Sequence, residues 1–374
     1  MSLILIPGRR KYMSESDAIQ RIPSEVLDNQ VSLKGYDILT YPADFTLEVL
    51  VGKWQKGEIK NPKLQRRFVW NQIRASKLIE SFLMGLPVPP IFLYLDRDNK
   101  LLVVDGHQRL ASIAYFYSGE FGERKTGVTP VPFELIGLDE KSPYLLATYE
   151  KLKLENDAAY QKLNNSVMRS FVVKQIDPQD DTSIFQIFER LNTGGVFLRP
   201  QEIRNCIYEG PFNTALNALN KYDSWRKIFG STFEDKRKRD AELILRFFAL
   251  FHKSPYKRPM KKFLNDFMEE HRRATPEELE ILEDLFKQTT DAVLRALGPK
   301  PFNLTTGMNA AVYDATFVAF ARNLNNVTAH HKLREKFGEL KGNKTFLKLV
   351  SQHTTDEDNV PKRIRKANRA LFGR

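Results

Sequence analysis

A chain of 374 residues has room for two domains, and 42% hydrophobic with 28% charged residues is ordinary for a globular protein that folds in water. The net charge of +12 points to a polyanionic partner, with nucleic acid first among them. A single cysteine, Cys206, excludes an internal disulfide. The only apolar run near the N-terminus, residues 3–6, stops at Pro7 and is too short for a signal-peptide core or a membrane span, so a cytoplasmic protein with no membrane partner is expected.

Residues 1–35 are polar and irregular, and an N-terminal arm is expected over 1–40. Residues 45–54 turn helical, and Gly57 to Pro62 break the pattern. Gln65, Arg66 and Arg67 then precede Phe68, Val69 and Trp70, which read as core anchors; a Gln–Arg pair pinned in this way can be held over a pocket, while an exposed basic loop fits the same residues. Ala75, Leu78, Ile79, Phe82, Leu83 and Leu86 recur at helical spacing until Pro87, Pro89 and Pro90 end the run. Residues 91–95 and 101–104 read as a hairpin about the polar turn 96–99.

A helix is predicted over 106–117, with Leu110, Ile113, Ala114 and Tyr117 as its inner stripe. Residues 131–136 and 171–176 read as two more strands, and the helical, polar stretch 144–167 between them as an insertion. An apolar helix over 184–191 leads into Asn192, Thr193, Gly194 and Gly195, and a further helix starts near Pro200. Cys206 falls inside that helix and reads as core filler. Beyond residue 210 no strand is expected. Helical patterns cover 241–251, 261–271, 276–297 and 308–323. Two basic tracts stand out in this half. One is Lys236, Arg237, Lys238 and Arg239. The other is the last 14 residues, with Lys362, Arg363, Arg365, Lys366, Arg369 and Arg374 and no acid; there Ile364, Ala367 and Leu371 space as a helix stripe, which suggests a docked basic helix.

The stretch from residue 101 to 109 carries the most chemistry. An apolar strand runs into Asp105, Gly106, His107, Gln108 and Arg109 at the start of a helix. Gly106 lets backbone approach closely, the first N–H groups of the helix lack internal partners, and Arg109 offers a planar donor fork suited to phosphate. Asp105 can hold a metal-bound water, orient Arg109 or meet a ribose hydroxyl, and His107 can move a proton near neutral pH. A helix cap with a surface ion pair is the structural alternative. The paired glycines at 194 and 195 suit an anion nest or a plain helix C-cap, with Asn192, Thr193, Glu189 and Arg190 close in sequence. Residues 119–126 nearly spell a phosphate-binding P-loop, but Arg124 stands where glycine is required. The six histidines show no ligand spacing, and His330-His331 lacks the surroundings of an HNH nuclease.

Taken together, Gln65-Arg66-Arg67-Phe68-Val69-Trp70, Leu78-Ile79-Glu80-Ser81, Pro87-Val88-Pro89-Pro90, Asp105-Gly106-His107-Gln108-Arg109 and Phe188 through Gly195 resemble, in order and separation, the N-terminal domain family of the GmrSD restriction endonucleases, within the ParB/sulfiredoxin-like superfamily. The resemblance is strong over about residues 40–210. His107 departs from the Asp-Gly-Gln-Gln-Arg (DGQQR) pattern. What the resemblance implies is an α+β fold, a small mixed ParB-like sheet with helices over 41–210, followed by an all-α lobe over 211–374. It also implies a nucleoside triphosphate bound at the Asp-Gly-x-Gln-Arg turn, NTPase activity in some relatives, and a role in restriction or phage defence with cleavage by a separate HNH-type nuclease subunit.

On that basis Gln65, Arg66, Gly106, Arg109, Asn192, Thr193, Gly194 and Gly195 are expected to hold the nucleotide. Asp105, His107, Gln108 and Arg109 are expected at any catalytic centre, with Mg²⁺ on Asp105. Lys236, Arg237, Lys238, Arg239, Lys362 and Arg363 are expected to touch DNA. Two rival readings are a DNA-binding regulator or adaptor without turnover and, behind it, a metal-dependent nuclease built on Asp105 and Glu189.

Overall fold

The computed structural model describes residues 36–60, 68–122, 129–178, 183–191, 199–235, 237–253, 255–304, 307–329 and 332–373. The chain forms two compact units that divide between Ile207 and Tyr208.

In the N-terminal unit the elements run β1 (Asp37–Pro42), β2 (Phe45–Thr46), α1 (Leu47–Gln55), β3 (Ile59–Lys60), α2 (Gln72–Met84), β4 (Ile91–Leu95), β5 (Leu101–Asp105), α3 (His107–Ser118), β6 (Glu120–Phe121), β7 (Val131–Pro132), α4 (Tyr149–Glu155), α5 (Asp157–Asn165), β8 (Val167–Met168), β9 (Ser170–Asp177), α6 (Ile184–Leu191) and α7 (Pro200–Ile207). Five strands form one mixed sheet in the order β1-β9-β4-β5-β3. The β1/β9 and β4/β5 pairs are antiparallel, and the β9/β4 and β5/β3 pairs are parallel. Two pairs of two-residue strands, β2/β8 and β6/β7, stand apart from it.

The predicted hairpin is β4–β5. Its turn closes because the Asp96 side chain accepts from Lys100 N at 2.8 Å and Asn99 takes the left-handed conformation (φ 56°) that asparagine tolerates. Helix α2 starts at Asn71, whose side chain accepts from Arg74 N at 2.9 Å, and stops two residues short of the predicted stripe. Gly85 caps it at φ 77°, which leaves Leu86 half exposed.

Four local expectations need correcting. The arm expected to reach residue 40 overlaps β1, which is an edge strand of the sheet. The strand predicted over 131–136 is regular only at Val131–Pro132. Beyond it side chains take over from a ladder: Gln72 Nε2 donates to the Pro132 and Glu134 carbonyls, and Ser76 Oγ accepts from Ile136 N. The stretch read as a polar insertion is α4 and α5, and Leu152, Ala159 and Leu163 enter the same core as α1, α2 and α3. Finally, a two-residue ladder, β10 (Asn303–Leu304) with β11 (Gly307–Met308), lies where no strand was expected. At the C-terminal end of α3, Tyr117 stacks on Tyr149 at 4.3 Å, and burial pushes both phenols well above their usual pKa.

The C-terminal unit contains α8 (Pro211–Leu219), α9 (Asp223–Phe229), α10 (Arg239–His252), α11 (Met260–Glu270), α12 (Pro276–Leu297), the β10/β11 ladder, α13 (Ala310–Arg322), a 3₁₀ turn (Leu324–Ala329), α14 (Leu333–Gly342), α15 (Lys344–Ser351) and α16 (Asn359–Phe372). A capping box between Thr275 and Glu278 opens α12. Helix α13 reads Ala-Ala-Val-Tyr-Asp-Ala-Thr-Phe-Val-Ala-Phe-Ala-Arg. Its residues 311–321 are all buried, and α10, α12 and α16 pack around it.

At the middle of this helix Asp314 is fully buried between two arginines. Arg246 Nη2 donates to it at 2.6 Å and Arg363 Nη2 at 2.7 Å, and Arg363 Nη1 also donates to the Thr354 carbonyl. The docked C-terminal helix is therefore present, with Ile364, Ala367 and Leu371 in the core. Arg363 does not face a nucleic acid: its side chain is inside the protein and holds α16 to α13. Among the described residues no helix is long and apolar enough to cross a membrane. Asp314→Asn removes the buried carboxylate that the Arg246 and Arg363 guanidinium groups share, so a loss of about 3–5 kcal/mol from the C-terminal unit is expected. Scanning calorimetry of the full chain checks it, and an unchanged unfolding transition contradicts the lock.

Candidate functional site

Strand β5 is the fourth of the five strands and delivers Asp105 to the end of the sheet. Gly106 then turns the chain into α3 with φ 94°, a conformation that favours glycine. Packing demands glycine too. A Cβ on Gly106 would lie 2.4 Å from Ile91 Cγ2, on the first residue of the neighbouring strand β4, and 3.2 Å from Arg109 Nη2. The turn is thus closed tightly against β4, and α3 starts without a side-chain cap.

Arg109 sits one turn into α3 and folds back over this junction. Its Nη2 donates to Asp105 Oδ2 at 2.9 Å and to the Pro90 carbonyl at 3.0 Å. The side chain is 18% exposed, whereas that of Asp105 is 42% exposed. The buried Arg109 Nε has no acceptor among the described residues. Of the three roles open to Asp105 in the sequence, orienting Arg109 is the one this geometry displays. Among the described residues no group of three His, Cys, Asp or Glu side chains is placed to hold a metal ion.

Gln108 and His107 differ from expectation. Gln108 Oε1 accepts from the backbone N–H groups of Val69 (2.9 Å) and Trp70 (3.2 Å), so its carbonyl is spent on holding an extended segment against α3 rather than on a phosphate or a water. His107 is buried, and its ring stacks on Trp54 of α1 at 6.3 Å, which encloses the imidazole instead of opening it to a substrate. The Phe68–Trp70 segment is anchored as the sequence implies at its aromatic positions only. Phe68 meets Tyr115 and Phe121 edge-on, and Trp70 lies under Arg74 at 4.3 Å, while Val69 is 69% exposed.

Several expected residues lie outside the described ones: Gln65, Arg66, Asn192, Thr193, Gly194, Gly195 and Lys236. Helix α6, which leads into Asn192, packs against β5, the strand that ends at Asp105. In the C-terminal unit two cations of the first basic tract, Lys238 and Arg239, are paired with acids. Lys238 pairs with Glu234 at 2.6 Å and Arg239 with Asp235 at 3.1 Å, in a loop braced by the buried Arg226–Asp240 pair.

Sequence reasoning missed Trp54, Ile91 and the Pro90 carbonyl. The prolines at 87–90 are a visible signal there, since they carry an extended chain into β4 and place one carbonyl under Arg109. Helix α7 starts at Pro200 as expected, but its buried polar network was missed: Gln201, Glu202, Arg204 and Asn205 are all buried, and Arg204 Nη1 donates to Gln201 Oε1 at 3.0 Å. Cys206 is buried beside them, as expected of core filler.

A small mixed α+β domain whose sheet ends in a glycine turn, with an arginine braced at the helix start, is a scaffold suited to an anionic ligand. Residues 47–209 match the family model of the GmrSD restriction endonuclease N-terminal domain, and this segment belongs to that family. The chain therefore carries a domain of a kind that is part of restriction systems. Among curated proteins no match to the chain was found.

Two outcomes test the local geometry. Gly106→Ala combines a disfavoured backbone with a clash at Ile91, and a loss of roughly 2–4 kcal/mol is expected in urea unfolding; wild-type stability would contradict the packing described. Gln108→Ala strands two backbone donors, so hydrogen exchange should accelerate at Val69 and Trp70 while α2 keeps its protection.

Proposed function

We propose that the N-terminal unit binds a nucleoside triphosphate at the Gly106 turn, in a restriction or phage-defence system whose DNA cleavage is carried by a separate nuclease subunit. The observation that carries this reading is Arg109: a guanidinium held at a helix start by Asp105 and the Pro90 carbonyl, with a buried Nε that has no acceptor among the described residues. A buried donor without an acceptor is costly, and a phosphate oxygen is a chemically apt acceptor for it. Gly106 adds the close approach of backbone, and family membership over 47–209 supplies the context. Gln65, Arg66 and the Asn192–Gly195 loop enter the reading through the sequence.

The residues support binding more directly than turnover. Of the four expected at a catalytic centre, Gln108 is committed to backbone and His107 is enclosed, which leaves Asp105 and Arg109 at the turn. The half-exposed Asp105 carboxylate suits Mg²⁺ in the mode where phosphates supply most ligands and the protein one or two. The ion would neutralise phosphate charge. Asp105 and Arg109 fix where that charge lies. A second reading, a DNA-binding adaptor without turnover, draws on the basic C-terminal unit.

Calorimetric titration of the protein with ATP, GTP and CTP, with and without Mg²⁺, tests the proposal. One of them is expected to bind, and Arg109→Ala to weaken it at least about tenfold, the scale of a missing charge-assisted hydrogen bond. Absence of binding by all three, or unaltered affinity in the variant, overturns it.

A further inference from the structure

The two basic tracts look alike as sequence and differ in the fold. In the first, Lys238 and Arg239 are tied to Glu234 and Asp235. In the second, α16 turns Val360, Ile364, Ala367 and Leu371 into the core, and at 100° per residue Lys362, Arg365, Lys366 and Arg369 fall on the opposite side. Lys362 pairs with Asp358, but Arg365, Lys366 and Arg369 have no acidic partner among the described residues. No acid occurs over residues 359–374. The row from Lys362 to Arg369 spans about 10 Å of helix axis.

These charges are also held in place. Arg363, between them in sequence, is locked to Asp314, and the Asn368 side chain accepts from Asn323 at 2.6 Å, so the helix cannot roll to bury its outer face. The apolar side of α16 is already used in the core. A lipid surface therefore has no hydrophobic face to take up, and membrane binding by an amphipathic helix requires one. A rigid row of uncommitted cations with a strong arginine share matches the spaced phosphates of a nucleic-acid backbone.

We propose that the outer face of α16, through Arg365, Lys366 and Arg369 with Lys362 at its edge, is the surface by which this chain engages the phosphate backbone of duplex DNA, independently of base sequence. The inference rests on the DNA-associated reading above, but not on the nucleotide site. It moves the DNA-facing surface away from residues 236–239 and from Arg363.

The test is fluorescence anisotropy of the full chain on a labelled duplex over a series of salt concentrations. For every phosphate that the protein no longer neutralises, the slope of log K against log salt becomes shallower by about 0.9. The triple variant Arg365→Gln, Lys366→Gln, Arg369→Gln is expected to make that slope shallower by about 2 to 3 and to bind at least tenfold more weakly at low salt. Lys238→Gln with Arg239→Gln should leave the slope as in the wild type. An unaltered slope in the triple variant overturns the proposal, as does a wild-type protein that binds phosphatidylserine vesicles and not DNA. Nucleotide titration of the same triple variant separates the two readings. If no nucleotide binds wild type or variant while the DNA slope still falls, the α16 face stands and the Gly106 site falls; nucleotide binding with an unaltered slope gives the reverse.

Discussion

Nothing larger than hydrogen fits between the α-carbon of residue 106 and Ile91, and the candidate site depends on that. The glycine lets β5 pass into α3 within one residue and brings the start of the helix against the first residue of β4. Because the turn is so short, Asp105 and Arg109 end up facing one another, and the Pro90 carbonyl comes within reach of the same guanidinium. Gln108, one position earlier, is aimed at the Phe68–Trp70 segment instead. One backbone constraint thus sorts four neighbouring polar residues into separate tasks: Asp105 and Arg109 at the turn, His107 against Trp54, and Gln108 as a clamp.

Arginine is used in two ways in this chain. Arg226, Arg246 and Arg363 are buried, with their forks taken up by carboxylates and carbonyls of their own unit. They organise structure, and removing a partner leaves a charge with no solvent to receive it. Arg109 is braced on one side only, and Arg365 and Arg369 face outward. Composition does not separate these classes, because a net charge of +12 counts a buried arginine and an exposed one alike.

Much of the architecture was legible in the sequence, because periodicity reports which faces are buried. The β4–β5 hairpin, α2, α3, α12 and the amphipathic α16 follow directly from their apolar spacing. Short helices such as α8, α9, α14 and α15 were not read, since seven to ten residues offer too few turns for a period to stand out. The limits at the site are of another kind. A pattern of residue types shows that Gln108, Arg109 and Arg363 have polar work to do, but not whether the partner is a ligand or a backbone group 39 residues away, as for Gln108 and Val69. Arg363 shows this most clearly. It lies in a run of cations, and its side chain is nonetheless one of the most completely buried in the molecule.

Helix α16 is a wall of the core around α13. Its two sides answer to different constraints: the inner side is fixed by the core, and the outer side carries the cations of the proposed DNA-facing surface. A stop codon shortly before residue 359 would open one flank of α13 to water and take away one of the two cations that share Asp314. Outward positions such as Arg365 and Arg369 carry no such structural burden, so what constrains their charge is what the outer face contacts rather than the core.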